Sequence, residues 1–266
     1  MDLELTGKRA LVTGGSRGIG RAIAAVLASE GTDTAIAARG EEGLRATAAA
    51  LAEETGRKMI PIRADTGDAE SVRRMVERAT GLLGGIDVLV NCAAKPGGQS
   101  KPPSLCEITE QDFWEDMNVK VMGYLRCARE VAPQMVDRGW GRIINISGLA
   151  ARGTGSTIGS MRNVAVAAMT KNLADELGPK GVSVTVVHPG LTRTEATPGV
   201  IESLARQRGV SRNAIESELN AGNSVRRLID AVEVAHLVAF LASPKAGCIN
   251  GDAIACGGGV GRAIHY

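Results

Sequence analysis

The chain has 266 residues and a formal net charge of +2 spread without a basic run, so its electrostatics give no reason to expect nucleic acid or an anionic membrane as partner. Aromatic residues make up only 2%, and the core must be filled by Ala, Val, Leu and Ile, as when small-residue helices pack closely on a sheet. The five cysteines, Cys92, Cys106, Cys127, Cys248 and Cys256, form no CxxC pair, which argues for reduced thiols and against zinc or disulfides.

The opening segment "MDLELTGKRALVTGG" turns into a glycine loop too early for a signal sequence, and no apolar stretch is long enough to span a bilayer. A soluble, cytoplasmic protein with a small-molecule substrate is expected. In chain order, short β-branched runs occur at "RALVTG", "DTAIAA", "MIPIRAD", "IDVLVN", "RIINIS", "VSVTVVHP" and "CINGDAIAC". Between them lie helix-length segments at Arg17–Glu30, Glu41–Glu54, Asp68–Leu83, Glu110–Asp137, Ser156–Leu177 and Ala231–Leu241. Asp68 and Thr109 are placed to accept hydrogen bonds from first-turn amides.

Strict alternation of strand and helix predicts an α/β fold, a doubly wound parallel sheet of seven strands, as a single domain over 1–266. The polar stretch 191–227 interrupts the alternation after the sixth strand, and a long excursion there is expected to be a substrate lid.

"VTGGSRGIG" sits where a strand passes into a helix, the context that gives a glycine pattern its meaning. Gly14 permits the tight turn, Gly18 lets backbone approach a pyrophosphate, and Gly20 allows the helix to pack closely on the sheet, as in Rossmann-type dinucleotide sites. The first amides of the helix then face the phosphates.

These residues, as Thr13, Gly14, Gly18, Ile19 and Gly20 in the pattern TGxxxGIG, resemble the short-chain dehydrogenase/reductase family. The likeness runs over nearly the whole chain. "NCAA" (Asn91 to Ala94) resembles its NNAG motif, "INIS" ends on Ser147, and "HPGLTRT" resembles the PG loop beside the nicotinamide. The resemblance implies an NAD(P)-dependent oxidoreductase acting on a carbonyl or alcohol. It also implies a cofactor shell: Gly14, Ser16, Arg17, Gly18, Ile19 and Gly20 in the loop, Arg39 after the second strand, Asp65 and Thr66 after the third, Asn91 and Ala93 after the fourth, Asn163 on the long helix, and Pro189, Gly190, Thr192 and Thr194 after the sixth strand. Asn118 corresponds to the helix asparagine that anchors a relay water, and Ser147 stands near the serine that orients the carbonyl. The alternative for Ser147 is a hydroxyl satisfied at a strand end.

An acidic residue ending the second strand would favour the 2′-hydroxyl of NAD. Ala38 stands there, followed by Arg39, and Arg17 lies in the glycine loop, so NADP(H) is favoured over NAD(H) through a 2′-phosphate. An arginine stacked on adenine, or a solvated surface charge, is the other reading of each.

In the resembled family a tyrosine exchanges the substrate proton and a lysine four residues later lowers its pKa and holds the ribose. Registering "MTKNLADELGPKGVSVTVVHPG" on that pattern puts Gly159 at the tyrosine and Asn163 at the lysine. Tyr124 and Tyr266 are the only tyrosines, and neither falls on this helix. Lys171 lies eight residues beyond Asn163, about 12 Å along a helix. Ser160, Arg162, Lys95 and His188 are candidate replacements, each with a bland reading as a surface charge or a packed side chain. Members of the resembled family often form tetramers in which a C-terminus approaches a neighbour's site, so the tail "GRAIHY", with His265 and Tyr266, is a further candidate acting in trans.

Three functions follow as expectations: an NADP(H)-dependent oxidoreductase with a rearranged acid, in a homotetramer or homodimer; a non-catalytic or cofactor-sensing subunit in a heteromer with an active relative; and a lyase or isomerase on the same scaffold.

Overall fold

β1 (Arg9–Thr13), β2 (Asp33–Ala38), β3 (Met59–Arg63), β4 (Val88–Asn91), β5 (Gly141–Ile146), β6 (Val182–Pro189) and β9 (Ala253–Cys256) pair in the order β3-β2-β1-β4-β5-β6-β9. Every ladder is parallel. The computed structural model describes residues 1–95 and 102–261. The tail carrying His265 and Tyr266 therefore lies outside the described residues.

Both faces of the sheet are covered, which is why its strands are apolar throughout. Ala10 and Val12 of β1 pack with Ile23 and Leu27 of α1 (Gly18–Ser29), Leu44 and Leu51 of α2 (Glu41–Thr55), and Val234 and Val238 of α9 (Ala231–Ala242). Leu11, between them, faces the other way, toward Val72 and Met75 of α3 (Ala69–Leu83), Val131 and Met135 of α5 (Gly123–Asp137), and Ala174 and Leu177 of α6 (Thr157–Leu177). Successive residues on opposite faces thus serve two separate helix layers.

The expected helix starts hold: Asp68 accepts from the Ser71 amide at 2.6 Å, and Thr109 forms a capping box with Asp112. Two expectations need correction. The helix expected at Glu110–Asp137 is interrupted: α4 (Glu110–Met117) passes into a π-helical turn at Asn118–Met122 before α5 begins. The seventh strand is confined to Ala253–Cys256, because Asn250 leaves the ladder to bond the Val184 amide and the Ala174 carbonyl. The 191–227 stretch is ordered, containing β7 (Thr192–Arg193), α7 (Thr197–Arg208) and α8 (Arg212–Ala221), with β7 pairing in parallel with β8 (Ile229–Asp230). Among the described residues no helix is long and apolar enough to cross a membrane.

Candidate active site

Strand order reverses direction between β1 and β4, and the crevice beyond the carboxyl ends of these strands is where doubly wound folds bind nucleotides. Gly14 has φ 71°, and a Cβ there would lie 2.9 Å from the Ala93 nitrogen, so the β1 and β4 ends can approach only with glycine at this position. Gly18 also has positive φ, 58°, and a Cβ on Gly20 would run into the Gly14 carbonyl. Thr13 joins the two strand ends, its hydroxyl accepting from the Cys92 and Ala93 amides at 3.1 and 3.3 Å. Ser16 is held by its carbonyl, which accepts from Thr47, and Ile19 packs on the α1-side core.

Arg17, the residue before α1, provides no side-chain cap, so the first amides of the helix are left for an acceptor. One of them is taken by the 191–227 stretch: the Glu195 carboxylate accepts from the Gly18 amide at 2.8 Å, and the Thr194 methyl lies 3.7 Å from where a Gly18 Cβ would stand. Thr194 is fixed by Thr197, whose hydroxyl accepts from its amide at 2.8 Å. Arg17 and Arg39 are exposed at the mouth of the crevice and enter no ion pair with the described residues.

Asp65 receives the Gly67 amide on one oxygen, and buried Thr66 donates to the Val119 carbonyl. Asn91 ends β4 buried, its amide nitrogen donating to Asn145 at 3.0 Å while its oxygen has no partner. Pro189 ends β6; Gly190 donates to the Cys256 carbonyl, and a Cβ on it would lie 2.9 Å from Gly257. Thr192 closes this turn by donating to the Gly190 carbonyl. The glycine cradle and the unpartnered Asn91 oxygen fit a dinucleotide.

The catalytic end is built differently. Ser156 caps α6 by accepting from the Gly159 amide at 3.1 Å, and a Cβ on Gly159 would sit 2.8 Å from that hydroxyl. A tyrosine at 159 would therefore displace the cap. Ser147 is buried and donates to the Asn163 carbonyl at 3.1 Å, the strand-end arrangement rather than a hydroxyl free for a substrate. A Cβ on Gly148 would press on the Asn163 amide nitrogen at 3.0 Å, so glycine here accompanies asparagine there.

Asn118 does not reach this centre. Its nitrogen donates to the Gly67 carbonyl at 3.0 Å and its oxygen accepts from Arg126 at 2.8 Å, which engages both ends of the amide on the α3 side. The expectation that Asn118 serves the reacting centre is corrected accordingly.

The four candidate replacements are also engaged. Ser160 donates to the Gly153 carbonyl, Lys95 pairs with Glu115, and Arg162 forks onto both oxygens of Asp116 at 2.7 and 2.8 Å. His188 accepts the Gly148 amide at 3.3 Å, and burial together with the charges of Arg152 and Lys120 lowers its pKa to about 4, so it is neutral. Tyr124 is buried with its hydroxyl on the Ile146 carbonyl at 2.9 Å, and burial raises its pKa well above the usual phenol value. Lys171 pairs with Asp175 at the surface.

The group that sequence reasoning missed is Lys120. It lies on the π-helical turn, only 3% exposed, and its ammonium donates to the Ser147 carbonyl at 2.9 Å and the Asn163 side-chain oxygen at 3.1 Å. It thereby bridges the end of β5 and α6, meeting Asn163, the residue that stands where the resemblance expects the family's lysine. The signal available in "MNVKVMGY" was a lysine inside an otherwise apolar helical stretch.

Comparison with known proteins agrees with this architecture. The family model described as "Enoyl-(Acyl carrier protein) reductase" matches residues 14–261. The chain belongs to the short-chain dehydrogenase/reductase family, whose members are NAD(P)-dependent oxidoreductases. It is 38% identical over 251 residues to the short-chain reductase protein NovJ of Streptomyces niveus, covering 94% of this chain and 92% of that one. To the 3-oxoacyl-[acyl-carrier-protein] reductase FabG of Aquifex aeolicus it is 32% identical, covering 98% and 100%. The L-sorbose reductase of Gluconobacter frateurii, solved with NADPH and L-sorbose, superposes with a TM-score of 0.93 at 28% identity, covering 99% and 100%.

Proposed function

We propose that the protein is an NADP(H)-dependent oxidoreductase that interconverts a carbonyl and an alcohol without the family's tyrosine. The observation that carries this reading is the coexistence of a sterically intact dinucleotide cradle at Gly14, Gly18 and Gly20 with a buried cation, Lys120, bonded to Asn163 at the family's lysine position. When bound, NADP(H) supplies or accepts the hydride. Arg39 and Arg17 hold a 2′-phosphate, the α1 amides hold the pyrophosphate once Glu195 withdraws, and Asn91, Asp65 and Thr66 line the adenosine side. The lid of α7 and α8 covers the substrate, with Arg193 and Arg212 beside a cavity of about 440 Å³.

The Gly159 substitution favours a second reading, a cofactor-binding subunit that supports an active relative. The two part on turnover. Calorimetry is expected to show NADPH binding at least tenfold tighter than NADH, with the preference lost in Arg39→Ala. NADPH mixed with the thioester acetoacetyl-N-acetylcysteamine is expected to give NADP and a hydroxyacyl product by mass spectrometry. Tight NADPH binding with no oxidation across a panel of ketones and thioesters would transfer the assignment to the second reading.

A further inference from the structure

The acid–base chemistry of this site has lost its usual bearer, and the question is which group holds a proton there. Among the described residues only Lys120 brings an ionisable side chain into contact with both Ser147 and Asn163. Resting on the oxidoreductase reading above, we propose that Lys120 is the proton donor and acceptor of this enzyme, its ammonium reaching from the π-helical turn into the space beside Gly148 and Asn163 that the family fills with other side chains.

Three observations converge. The first is geometric. The Asn163 side-chain oxygen lies 3.1 Å from the Lys120 nitrogen, and Gly159 stands one turn, about 6 Å, earlier on the same helix. Two of the three ammonium hydrogens are used by Ser147 and Asn163, leaving one for a substrate oxygen or a bridging water.

The second is backbone. The π-helical turn Asn118–Met122 contains no proline, and such a bulge is a rare irregularity frequently found at functional sites. Here it separates Asn118, turned to Gly67 and Arg126, from Lys120, turned into the sheet end.

The third is energetic. Lys120 has no ion pair among the described residues: Asp116, the acidic group nearest in effect, is held by both oxygens on Arg162. A purely structural strap between β5 and α6 would be better served by a neutral amide, because an unpaired buried charge is destabilising.

The groups acting on this nitrogen come from every neighbouring element. Arg162 of α6 repels the charge, Asp116 of α4 favours it, His188 at the end of β6 is neutral, and Tyr124 of α5 is locked on a carbonyl. Burial dominates, with Arg162 adding to it, and the Lys120 pKa falls from 10.5 to about 7. A group of that pKa is half protonated at neutral pH, the condition under which acid–base catalysis is most efficient. Cys92, pushed up to about 11 by burial, stays a thiol and does not compete.

The reaction balances with the hydride that the family's cofactor supplies. In reduction the carbonyl carbon gains hydride from the reduced nicotinamide, and the carbonyl oxygen gains a proton from Lys120 as its N–H bond breaks. The neutral amine then recovers a proton from solvent. In oxidation the amine accepts the hydroxyl proton.

The test uses the full-length protein labelled with ¹⁵N-lysine, NADPH, and acetoacetyl-N-acetylcysteamine. In the wild type the Lys120 side-chain resonance is expected to titrate near pH 7 and to move when NADPH is added. The rate of reduction is expected to fall about tenfold per pH unit above 7, as the ammonium is lost, and the rate of oxidation to rise through the same pH. Lys120→Met is expected to lose about 10²- to 10⁴-fold in kcat with KM changed only a few-fold, and methylammonium to restore part of the activity of Lys120→Ala.

Folding of the variant is checked by its Tm. With the buried charge removed, Tm should rise, and more at pH 6 than at pH 9: lysine is charged in both states below its folded pKa, whereas above it the native protein has shed the proton. Turnover in Lys120→Met within threefold of wild type, with an unchanged pH profile, overturns the proposal and leaves the oxidoreductase reading standing. Absence of turnover in the wild type sinks that reading instead; a Lys120 resonance that then ignores NADPH overturns the placement of the ammonium at the cofactor as well.

Discussion

The two ends of the cofactor crevice are specified by different physics. At the phosphate end the requirement falls on backbone: Gly14, Gly18 and Gly20 are fixed by close approach and positive φ, and no other residue type meets it. At the catalytic end the requirement falls on where a charge sits, and a side chain can deliver that charge from more than one element. Lys120, on the π-helical turn before α5, reaches Asn163 of α6 at 3.1 Å, a meeting that only the fold brings about. The comparison teaches that a steric requirement is written in the residue's own type, whereas an electrostatic one depends on which side chains the fold brings together.

The sharpest way to break this comparison is to restore the family's lysine. Asn163→Lys would place a second buried ammonium against Lys120 and should destabilise the fold by about 3–5 kcal/mol, read by urea denaturation. The exchange Lys120→Asn with Asn163→Lys should recover most of that loss; full stability of the single variant would mean the two positions do not share one charge. Next in size, Gly14→Ala forces a side chain to φ 71° and onto Ala93, and should weaken NADPH binding about 30-fold, or ~2 kcal/mol, with little change at the catalytic end. The smallest effect is expected from Glu195→Ala. Removing a carboxylate from the first amide of α1 should tighten NADPH binding about two- to fivefold, and added salt should shrink the gain.

Much of the fold was legible because strand and helix periods are written locally. All seven strands of the main sheet and the caps at Asp68 and Thr109 follow from residue pattern alone. The helices of the 191–227 stretch were not read, since α7 and α8 bury only a small cluster around Ile201, Ala205 and Ile215 and their polar surfaces mask the period. The glycine loop was readable at residue level for the steric reason given above. Lys120 was not, because a one-residue bulge rotates everything after it, and a helix read as continuous from Glu110 to Asp137 gives the wrong facing for both Asn118 and Lys120. That Gly159 stands where the resemblance expects a tyrosine was read from the sequence; the Ser156 cap that occupies the space beside Gly159 needed coordinates.

The two-residue ladder of β7 and β8 has an evolutionary consequence. Thr192 and Arg193 are tied to Ile229 and Asp230, so residues 194–228 form an excursion whose ends lie side by side, pinned to the body again where Glu195 meets Gly18 and where Ser224 and Val225 meet Gly258. Such a segment is a closed loop, and doubling the length of a flexible loop adds only about 0.6 kcal/mol of closure entropy. Length changes in the turns that join these pinned helices therefore cost the sheet beneath little. That segment can change in length and sequence while the nucleotide cradle stays as it is.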